Sequence, residues 1–199
     1  MPNPVWLTRT KLAVIGALFL LASSLALALE EGIPFEPGDE ERWILIDTNS
    51  YVLTVYKGMR PVANFHNLAI GQSGTARTRR EGDKTTPLGE FKIDYISHQS
   101  RHHRFLGINY PTPEKALLAW QEGTISFPEY LKYLDQRRAL GRPPQQTALG
   151  GMIGIHGVGA GNVRLHRIAN WTDGCIALED DQIDALSRTI EIGTRVYIR

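Results

Sequence analysis

Residues 171–178 read WTDGCIAL, and they contain Cys175, the one cysteine of this 199-residue chain. Nineteen positions before it, His156 stands in the stretch IGIHG at residues 153–157. A lone cysteine in an exported protein is either a reactive thiol or an intermolecular partner, because it has no second cysteine to pair with inside the chain. The thiolate is the nucleophilic form, and a neighbouring base or cation lowers the thiol pKa. These two stretches therefore predict a fold that brings His156 to the Cys175 thiol.

The composition indicates a globular domain and argues against nucleic-acid binding. Hydrophobic residues make up 42% of the chain and charged residues 22%, and the formal net charge is +1. A chain of this length can bury one hydrophobic core of ordinary size. With so little net charge, the sequence offers no electrostatic basis for capturing nucleic acid.

The first 28 residues have the pattern of an export segment. Arg9 and Lys11 form a short basic region, residues 12–29 are apolar apart from two serines, and residues 26–28 (ALA) offer a small-x-small cleavage site. The segment is either a cleaved signal peptide or a retained membrane anchor, since about 18 apolar residues can just span a bilayer. Both interpretations predict a protein that works outside the cytoplasm, in the periplasm or cell envelope. Residues 29–41 are expected to be a linker.

Residues 42–199 are predicted to form a mainly β domain, because β-branched and aromatic runs recur between turn signals. A hairpin is expected around residues 48–50. The predicted strands cover residues 42–47, 51–56, 62–70, 90–96, 152–156 and 194–198.

A helical insertion is predicted over residues 97–150. Pro113 stands at the start of one helix, and Ser126 with Glu129 forms a capping-box pattern that opens a second, which Gly141 ends. We expect this insertion to be large enough to form a lid over the site. A short C-terminal helix is predicted over residues 180–187, where acidic residues occupy the first turn.

Four sequence elements in order resemble the L,D-transpeptidases (YkuD-type catalytic domain) of bacterial cell walls. They are the His-Gly pair at 156–157, TDGC at 172–175, TPLGEF at 86–91 and FLGINYP at 105–111. The resemblance implies a YkuD-like β-sandwich catalytic domain that acts on peptidoglycan stem peptides and uses neither cofactor nor metal. It also implies that carbapenem β-lactams acylate the cysteine.

The resemblance implies thiol acyl transfer. Cys175 would attack a stem-peptide carbonyl while His156 takes the thiol proton, and an amine or water would resolve the thioacyl enzyme. The expected supporting roles are oxyanion donation by the backbone N–H groups of Gly174 and Cys175, and orientation of the histidine by the Gly157 carbonyl. Thr172 would position the loop or the substrate by hydrogen bonding.

Two departures from the family pattern leave the final acceptor open. Many members have histidine where this chain has Asp173, which is either a partner that raises histidine basicity or a turn former. Many have arginine where this chain has Ala177. Arg164 or Arg167 could replace that arginine. The Gly-Cys-x-Ala pattern resembles a subgroup that includes a hydrolase releasing a wall-bound lipoprotein, so an L,D-carboxypeptidase or a lipoprotein-releasing enzyme is the alternative.

Other residues have a functional and a structural interpretation. Trp171 either lines an acyl pocket or packs in the core. Arg104, Asn109 and Tyr110 either shape the substrate cleft or belong to an ordinary surface loop.

Two further interpretations compete with acyl transfer. His156, His166 and Cys175 could be three ligands of a zinc ion, although their spacing fits no zinc motif. The histidines at 98, 102 and 103 form a second cluster, in which neighbouring arginines would repel a cation. A wall-binding module without activity is the alternative from another functional class.

Overall fold

The computed structural model describes residues 33–199, so the predicted export segment at 1–28 lies outside the described residues. No helix in the described part of the chain is both long and apolar enough to cross a membrane. The strands are β1 (Arg42–Asp47), β2 (Val52–Lys57), β3 (Arg60–His66), β4 (Thr75–Ala76), β5 (Thr86–Pro87), β6 (Gly89–Ser100), β7 (His103–Ile108), β8 (Gly154–Gly157), β9 (Ile176–Leu178) and β10 (Arg195–Ile198). The helices are α1 (Pro113–Gln121), α2 (Phe127–Leu140), α3 (Val163–His166) and α4 (Asp180–Ser187).

Eight strands form one continuous sheet in the order β3-β2-β1-β10-β6-β7-β8-β9, and β4 pairs with β5 separately. The long strand β6 joins the two halves of this sheet, because its first residues pair with β10 and its later residues with β7. The two ends of the strand order also meet: Ala69, just after β3, exchanges backbone hydrogen bonds of 3.0 and 2.8 Å with Ala177 of β9. The predicted mainly β class is confirmed.

The core lies between the two halves of the sheet, and inward-facing side chains of both halves fill it. Ile44 and Ile46 of β1 are fully buried, as are Leu106 of β7 and Ile155 of β8, and all four belong to one hydrophobic cluster. Burial of each such side chain contributes roughly 1.5–3 kcal/mol. This core fixes β8, the strand that carries His156, in the interior of residues 37–199, which form one compact unit.

Local signals predicted several elements correctly. The hairpin formed by β1 and β2, the capping box of Ser126 with Glu129, and the left-handed Gly141 that ends α2 all occur as expected. The C-terminal helix α4 has the predicted bounds.

The prediction of a helical insertion from residue 97 was wrong for residues 97–108. These residues form the end of β6 and the whole of β7, and the two helices occupy only residues 113–140. The polar end of β6 (SHQS) lacks the apolar alternation that marks a half-buried strand. It is held instead by pairing with β7, with irregular register between Ser97 and Ser100.

Candidate active site

His156 lies in β8 between β7 and β9, opposite Phe105 on one side and Ala177 on the other. Its side chain is buried, and Nδ1 lies 2.7 Å from the Gly157 carbonyl oxygen. A carbonyl only accepts, so Nδ1 carries the proton and Nε2 keeps its lone pair. Burial lowers the pKa of His156 to about 4, against the opposing effect of the Gly157 hydrogen bond. The imidazole is therefore a neutral base near pH 7.

Three aromatic rings enclose His156. His102 stacks on it at a centroid distance of 4.4 Å, Phe105 lies parallel at 6.1 Å, and Trp171 meets it edge-on at 5.7 Å. The Trp171 Nε1–H donates to Nδ1 of His166 at 3.2 Å. Of the two interpretations of Trp171, substrate binding and packing, the structure favours packing, because the ring contacts His156 and His166 and is not among the residues that line the cleft.

Cys175 follows a turn that the Thr172 hydroxyl holds together. This hydroxyl donates to the Cys175 carbonyl at 2.6 Å and accepts from the Gly174 N–H at 3.2 Å. Thr172 thus has the loop-positioning contact that the sequence suggested. The Gly174 N–H was expected to be an oxyanion donor; it is instead occupied by Thr172.

Glycine is required at two positions of the site. Gly174 has φ +129°, and a Cβ there would conflict with the Arg79 guanidinium and lie 2.6 Å from the Thr85 carbonyl oxygen. A Cβ on Gly157 would conflict with the Asp180 carboxylate and lie 2.9 Å from the His102 carbonyl oxygen. Both glycines therefore allow neighbouring segments to pack directly on the backbone.

The Cys175 thiol contacts a backbone carbonyl. It donates to the Met152 carbonyl at 3.4 Å. Burial raises the pKa of Cys175 to about 11, while the Gly154 amide and Arg79 act in the opposite direction. Met152 has φ +54°, an uncommon conformation for a residue other than glycine, and it directs its carbonyl to the sulfur.

Cys175 and His156 line one cleft of about 490 Å³. Its walls are largely apolar and come from both strands of the β6–β7 hairpin, and Arg101 at the hairpin turn contributes a cation. The remaining lining residues are Tyr95, Ser97, Gln99, Ser100, His102, Phe105 and Met152. None of these lining residues belongs to α1 or α2; the part of the predicted insertion that borders the cleft is the β6–β7 hairpin, at residues 97–105.

Asp173 does not contact the histidine. It is exposed, and its carboxylate accepts a 3.2 Å hydrogen bond from the Gln72 side chain. Because the His156 Nδ1–H is already bound to Gly157, the interpretation of Asp173 as a partner that raises histidine basicity is not supported.

Arg104 and Asn109 were predicted to shape the cleft, and both lie elsewhere. Arg104 forms an ion pair with Asp184 of α4 and contacts His98 at 2.6 Å. Asn109 accepts a 2.8 Å hydrogen bond from the Lys92 backbone and thereby links β6 to the end of β7. Their polar groups are used to hold the fold.

Tyr110 is a core residue. It is buried, and its hydroxyl donates to the Leu149 carbonyl at 3.1 Å. Burial raises the pKa of Tyr110, and the nearby Arg79 acts in the opposite direction. No local pattern indicates this burial, since Tyr110 follows directly after a strand end.

The arginines expected to replace the family arginine are not in the cleft. Arg167 makes a bidentate ion pair with Glu179 at 2.7 and 2.8 Å, and Arg164 is exposed on α3. Arg101 lines the cleft and Arg79 lies beneath the cysteine turn. Sequence reasoning missed both, because nothing in the local pattern distinguishes them from other arginines in polar loops.

The geometry also bears on the two histidine clusters. No group of three or more His, Cys, Asp or Glu side chains within residues 33–199 is arranged to hold a metal ion. Of the second cluster, His102 stacks on His156, whereas His98 contacts Arg104 and His103 lies 2.9 Å from the Asp184 carboxylate.

A family model described as YkuD, L,D-transpeptidase catalytic domain, matches residues 41–198. A search of curated proteins found no match. Similar solved structures include the helical cell shape determining protein Pgp2 from Campylobacter jejuni, at 18% identity and a TM-score of 0.52, covering 87% of this chain and 54% of that one. A lysine-to-alanine mutant of the same protein matches at 19% identity and a TM-score of 0.53, covering 82% and 48%.

A third structure, an L,D-transpeptidase from Xylanimonas cellulosilytica, matches at 17% identity and a TM-score of 0.44, covering 89% of this chain and 69% of that one. At these identities the structural likeness concerns the fold. The chain spans about half the length of the Campylobacter protein.

Proposed function

The chain belongs to the YkuD family of L,D-transpeptidase catalytic domains, and we propose that it is an exported, cysteine-dependent L,D-transpeptidase acting on peptidoglycan stem peptides. The observation that carries the proposal is the shared cleft of Cys175 and His156, with the histidine held as a neutral base. A buried neutral imidazole beside an otherwise unreactive thiol is suited to removing a proton during attack on a carbonyl.

The reaction begins as the Cys175 sulfur attacks the carbonyl carbon of the scissile peptide bond and the thiol proton passes to Nε2 of His156. The tetrahedral intermediate collapses, the C–N bond breaks, and His156 gives its proton to the departing amine. A stem-peptide amine then attacks the thioester carbonyl and gives a proton to His156. The C–S bond breaks, and His156 returns that proton to the sulfur of Cys175. Water in place of the amine would give the hydrolytic reaction.

Stabilisation of the oxyanion is assigned to the backbone N–H of Cys175. The Gly174 N–H is bound to the Thr172 hydroxyl, so it is not free to serve as the first donor. One well-placed oxyanion donor contributes about 3 kcal/mol to transition-state stabilisation. Thr172 and Gly174 contribute by fixing the turn that presents this N–H.

Arg101 is assigned to the carboxylate of the donor stem peptide. It is the arginine among the residues that line the cleft, where the wall is otherwise largely apolar. Its Nε–H donates to His102 Nε2 at 2.8 Å, which leaves the terminal guanidinium nitrogens to bind an oxyanion. Ala177 is fully buried in β9, which is consistent with carboxylate recognition from another side of the cleft.

The pattern of residues 1–28 supports the proposal of export, with the segment acting as a cleaved signal or as an anchor. A carbapenem β-lactam is expected to acylate Cys175, because its strained carbonyl would occupy the same position as the scissile carbonyl. Wall-linked lipoprotein is the alternative substrate if the enzyme proves to be a hydrolase.

The test is incubation of the purified protein with disaccharide tetrapeptide, with products identified by mass spectrometry. Wild type is compared with Cys175→Ala and His156→Gln, and His66→Gln serves as a matched control because His66 is exposed and away from the cleft. A cross-linked dimer with loss of D-alanine, formed by wild type and the control variant alone, supports the transpeptidase.

The other outcomes separate the alternatives. Tripeptide without dimer changes the assignment to an L,D-carboxypeptidase, and release of lipoprotein-linked muropeptide alone indicates the wall-bound lipoprotein substrate. Activity that survives in Cys175→Ala contradicts thiol chemistry. Binding to sacculi without turnover of any of these substrates contradicts the enzymatic proposal and favours a wall-binding module.

A further inference from the structure

Arg79 is a buried cation with incomplete pairing, directly beneath the turn that carries Cys175. Its side chain is 4% exposed, and the buried Nε and Nη1 atoms have no hydrogen-bond partner among the described residues. Arginine is rarely buried unless it is paired, because the loss of hydration of a charge is costly. Because burying this charge costs free energy, Arg79 calls for an explanation beyond packing.

The guanidinium lies against the backbone of the cysteine turn. Nη2 donates to the Asp173 carbonyl at 3.3 Å, and Nη1 fills the space that a side chain on Gly174 would occupy. On its other side, the guanidinium carbon lies 6.0 Å from the centre of the Tyr110 ring. The cation is thus enclosed between a core aromatic ring and the peptide units just before the nucleophile.

Asp83 supplies the countercharge to Arg79. Its Oδ1 lies 3.4 Å from Arg79 Nε and also accepts hydrogen bonds of 2.9 Å from the Thr85 backbone and hydroxyl. Arg79 therefore joins the loop at residues 77–85 to the cysteine turn, across 94 positions of sequence.

We propose that Arg79 is a positioning residue for Cys175: it fixes the Asp173–Gly174 backbone and places a positive charge beneath the thiol. The proposal rests on the assignment of Cys175 as the nucleophile. Arg79 does not reach the cleft and touches no substrate. It acts through the turn, whose geometry sets the direction of the Cys175 N–H, and through its charge, which favours the thiolate as the proton leaves.

Several charged and titratable groups surround the Cys175 thiol, and Arg79 is one of those that affect its pKa. Arg79 and Arg101 favour the thiolate and so lower the pKa of Cys175, whereas Asp173 raises it. His156 of β8, Tyr95 of β6 and His102 at the β6–β7 turn also face the cleft. Arg79 is the buried one of the two cations, so bulk solvent and salt screen its charge less.

The test measures the pH dependence of Cys175 alkylation by iodoacetamide, followed by mass spectrometry, in the full-length protein. Arg79→Met removes the charge and is expected to move the midpoint of alkylation upward by roughly one pH unit. Asp83→Asn removes the countercharge but leaves Arg79 in place, and it is expected to move the midpoint downward. Loss of packing alone would not give shifts of opposite sign.

Arg79→Lys separates charge from geometry. Lysine keeps the charge but loses the planar fork, so the midpoint should lie nearer to wild type while turnover of stem peptide stays reduced. An unchanged midpoint in folded Arg79→Met, or shifts of the same sign in Arg79→Met and Asp83→Asn, would overturn the proposal. If Arg79→Met fails to fold, the direction of the Asp83→Asn shift still decides.

Alkylation requires no turnover, so this result is independent of the reaction that the enzyme catalyses. Opposite shifts in a protein inactive on every stem peptide would support Arg79 and contradict the proposed function. Normal turnover of stem peptide, with no shift of the alkylation midpoint in either variant, would support the proposed function and contradict the role of Arg79.

Discussion

The two central residues are held in protonation states opposite to those of a pre-formed ion pair. Burial lowers the pKa of His156 to about 4 and raises the pKa of Cys175 to about 11. These directions favour a neutral thiol and a neutral imidazole in the same cleft. In the proposed reaction the proton therefore moves as the carbonyl is attacked, since a raised thiol pKa leaves little thiolate near pH 7.

The lowered pKa of His156 predicts a loss of stability in acid. Unfolded histidine has a pKa of 6.5 and folded His156 about 4, so between these values the unfolded chain binds more protons. The stability present above pH 6.5 should fall by about 3 kcal/mol as the pH drops to 4. Urea unfolding at several pH values measures it. The free energy of unfolding of His156→Gln should fall less steeply as the pH drops, since His102 and His166 are present in both proteins. Parallel pH profiles of the two proteins would contradict the lowered pKa of His156.

Arg101 gives a second prediction at this scale. Arg101→Met should raise KM for a stem peptide about tenfold and change kcat less, because a charge-assisted hydrogen bond to a carboxylate contributes about 1.5–3 kcal/mol. Arg164→Met, at an exposed arginine outside the cleft, is the matched control. Steady-state kinetics on disaccharide tetrapeptide measures both. A selective loss of kcat would instead implicate the His102 that Arg101 contacts.

At the scale of elements, the turn at residues 172–175 depends on one hydroxyl group. Thr172→Val removes the hydrogen bond to the Cys175 carbonyl and leaves the buried Gly174 N–H without a partner. Such a loss costs about 1–3 kcal/mol, and turnover should fall because the oxyanion donor is misdirected. Thr172→Ser keeps the hydroxyl and should restore both properties. Thermal unfolding and turnover are measured on both variants. If Thr172→Val loses stability but keeps its turnover, the role of Thr172 is purely structural.

Elements with local causes were predictable from the sequence. The Ser126 capping box and the acidic first turn of α4 contain their own signals within a few residues, and both helices formed as expected. The pairing of the polar end of β6 with β7 has no such signal, because strand register there is set by neighbours rather than by alternation.

The site shows the same division. The sequence predicted that His156 comes close to Cys175, because a nucleophilic thiol needs a base, and the structure places both in one cleft. The places of Arg79 and Tyr110 could not be predicted, since they depend on contacts between segments far apart in the chain. The prediction that Tyr110 lines the cleft failed for this reason: the strand end that it follows turns into the core.

At the scale of the whole molecule, the insertion helices support the loop that carries Arg79. Arg80 binds Glu129 of α2 through two nitrogen–oxygen contacts of 2.6 and 3.3 Å and donates to the Thr124 carbonyl. Thr78 donates to Glu122 at 2.9 Å. The helices thus connect to the nucleophile indirectly, through the loop at residues 77–85, and this position accounts for their absence from the cleft walls.

This arrangement predicts a local effect of a surface ion pair. Arg80 and Ser126 together lower the pKa of Glu129 to about 2, yet an exposed ion pair of this kind contributes little to global stability. Arg80→Met should therefore leave the unfolding midpoint nearly unchanged. Hydrogen exchange should nevertheless accelerate in residues 77–85, because the loop loses its contacts with Thr124 and Glu129. Turnover should fall as well, because Arg79 is then held less firmly against the cysteine turn.

Arg138→Met provides the control, since Arg138 is an exposed arginine on α2, the helix that contains Glu129. Exchange measured by mass spectrometry should be unaffected by that change across residues 77–85 and 172–175. If Arg80→Met accelerates exchange in the loop but leaves turnover and Cys175 alkylation at wild-type values, the loop and the nucleophile are not coupled, and the insertion then serves only the stability of its own segment. If exchange and turnover change together, the two helices, the loop and the cysteine turn are coupled, and α1 and α2 affect turnover although neither helix lines the cleft.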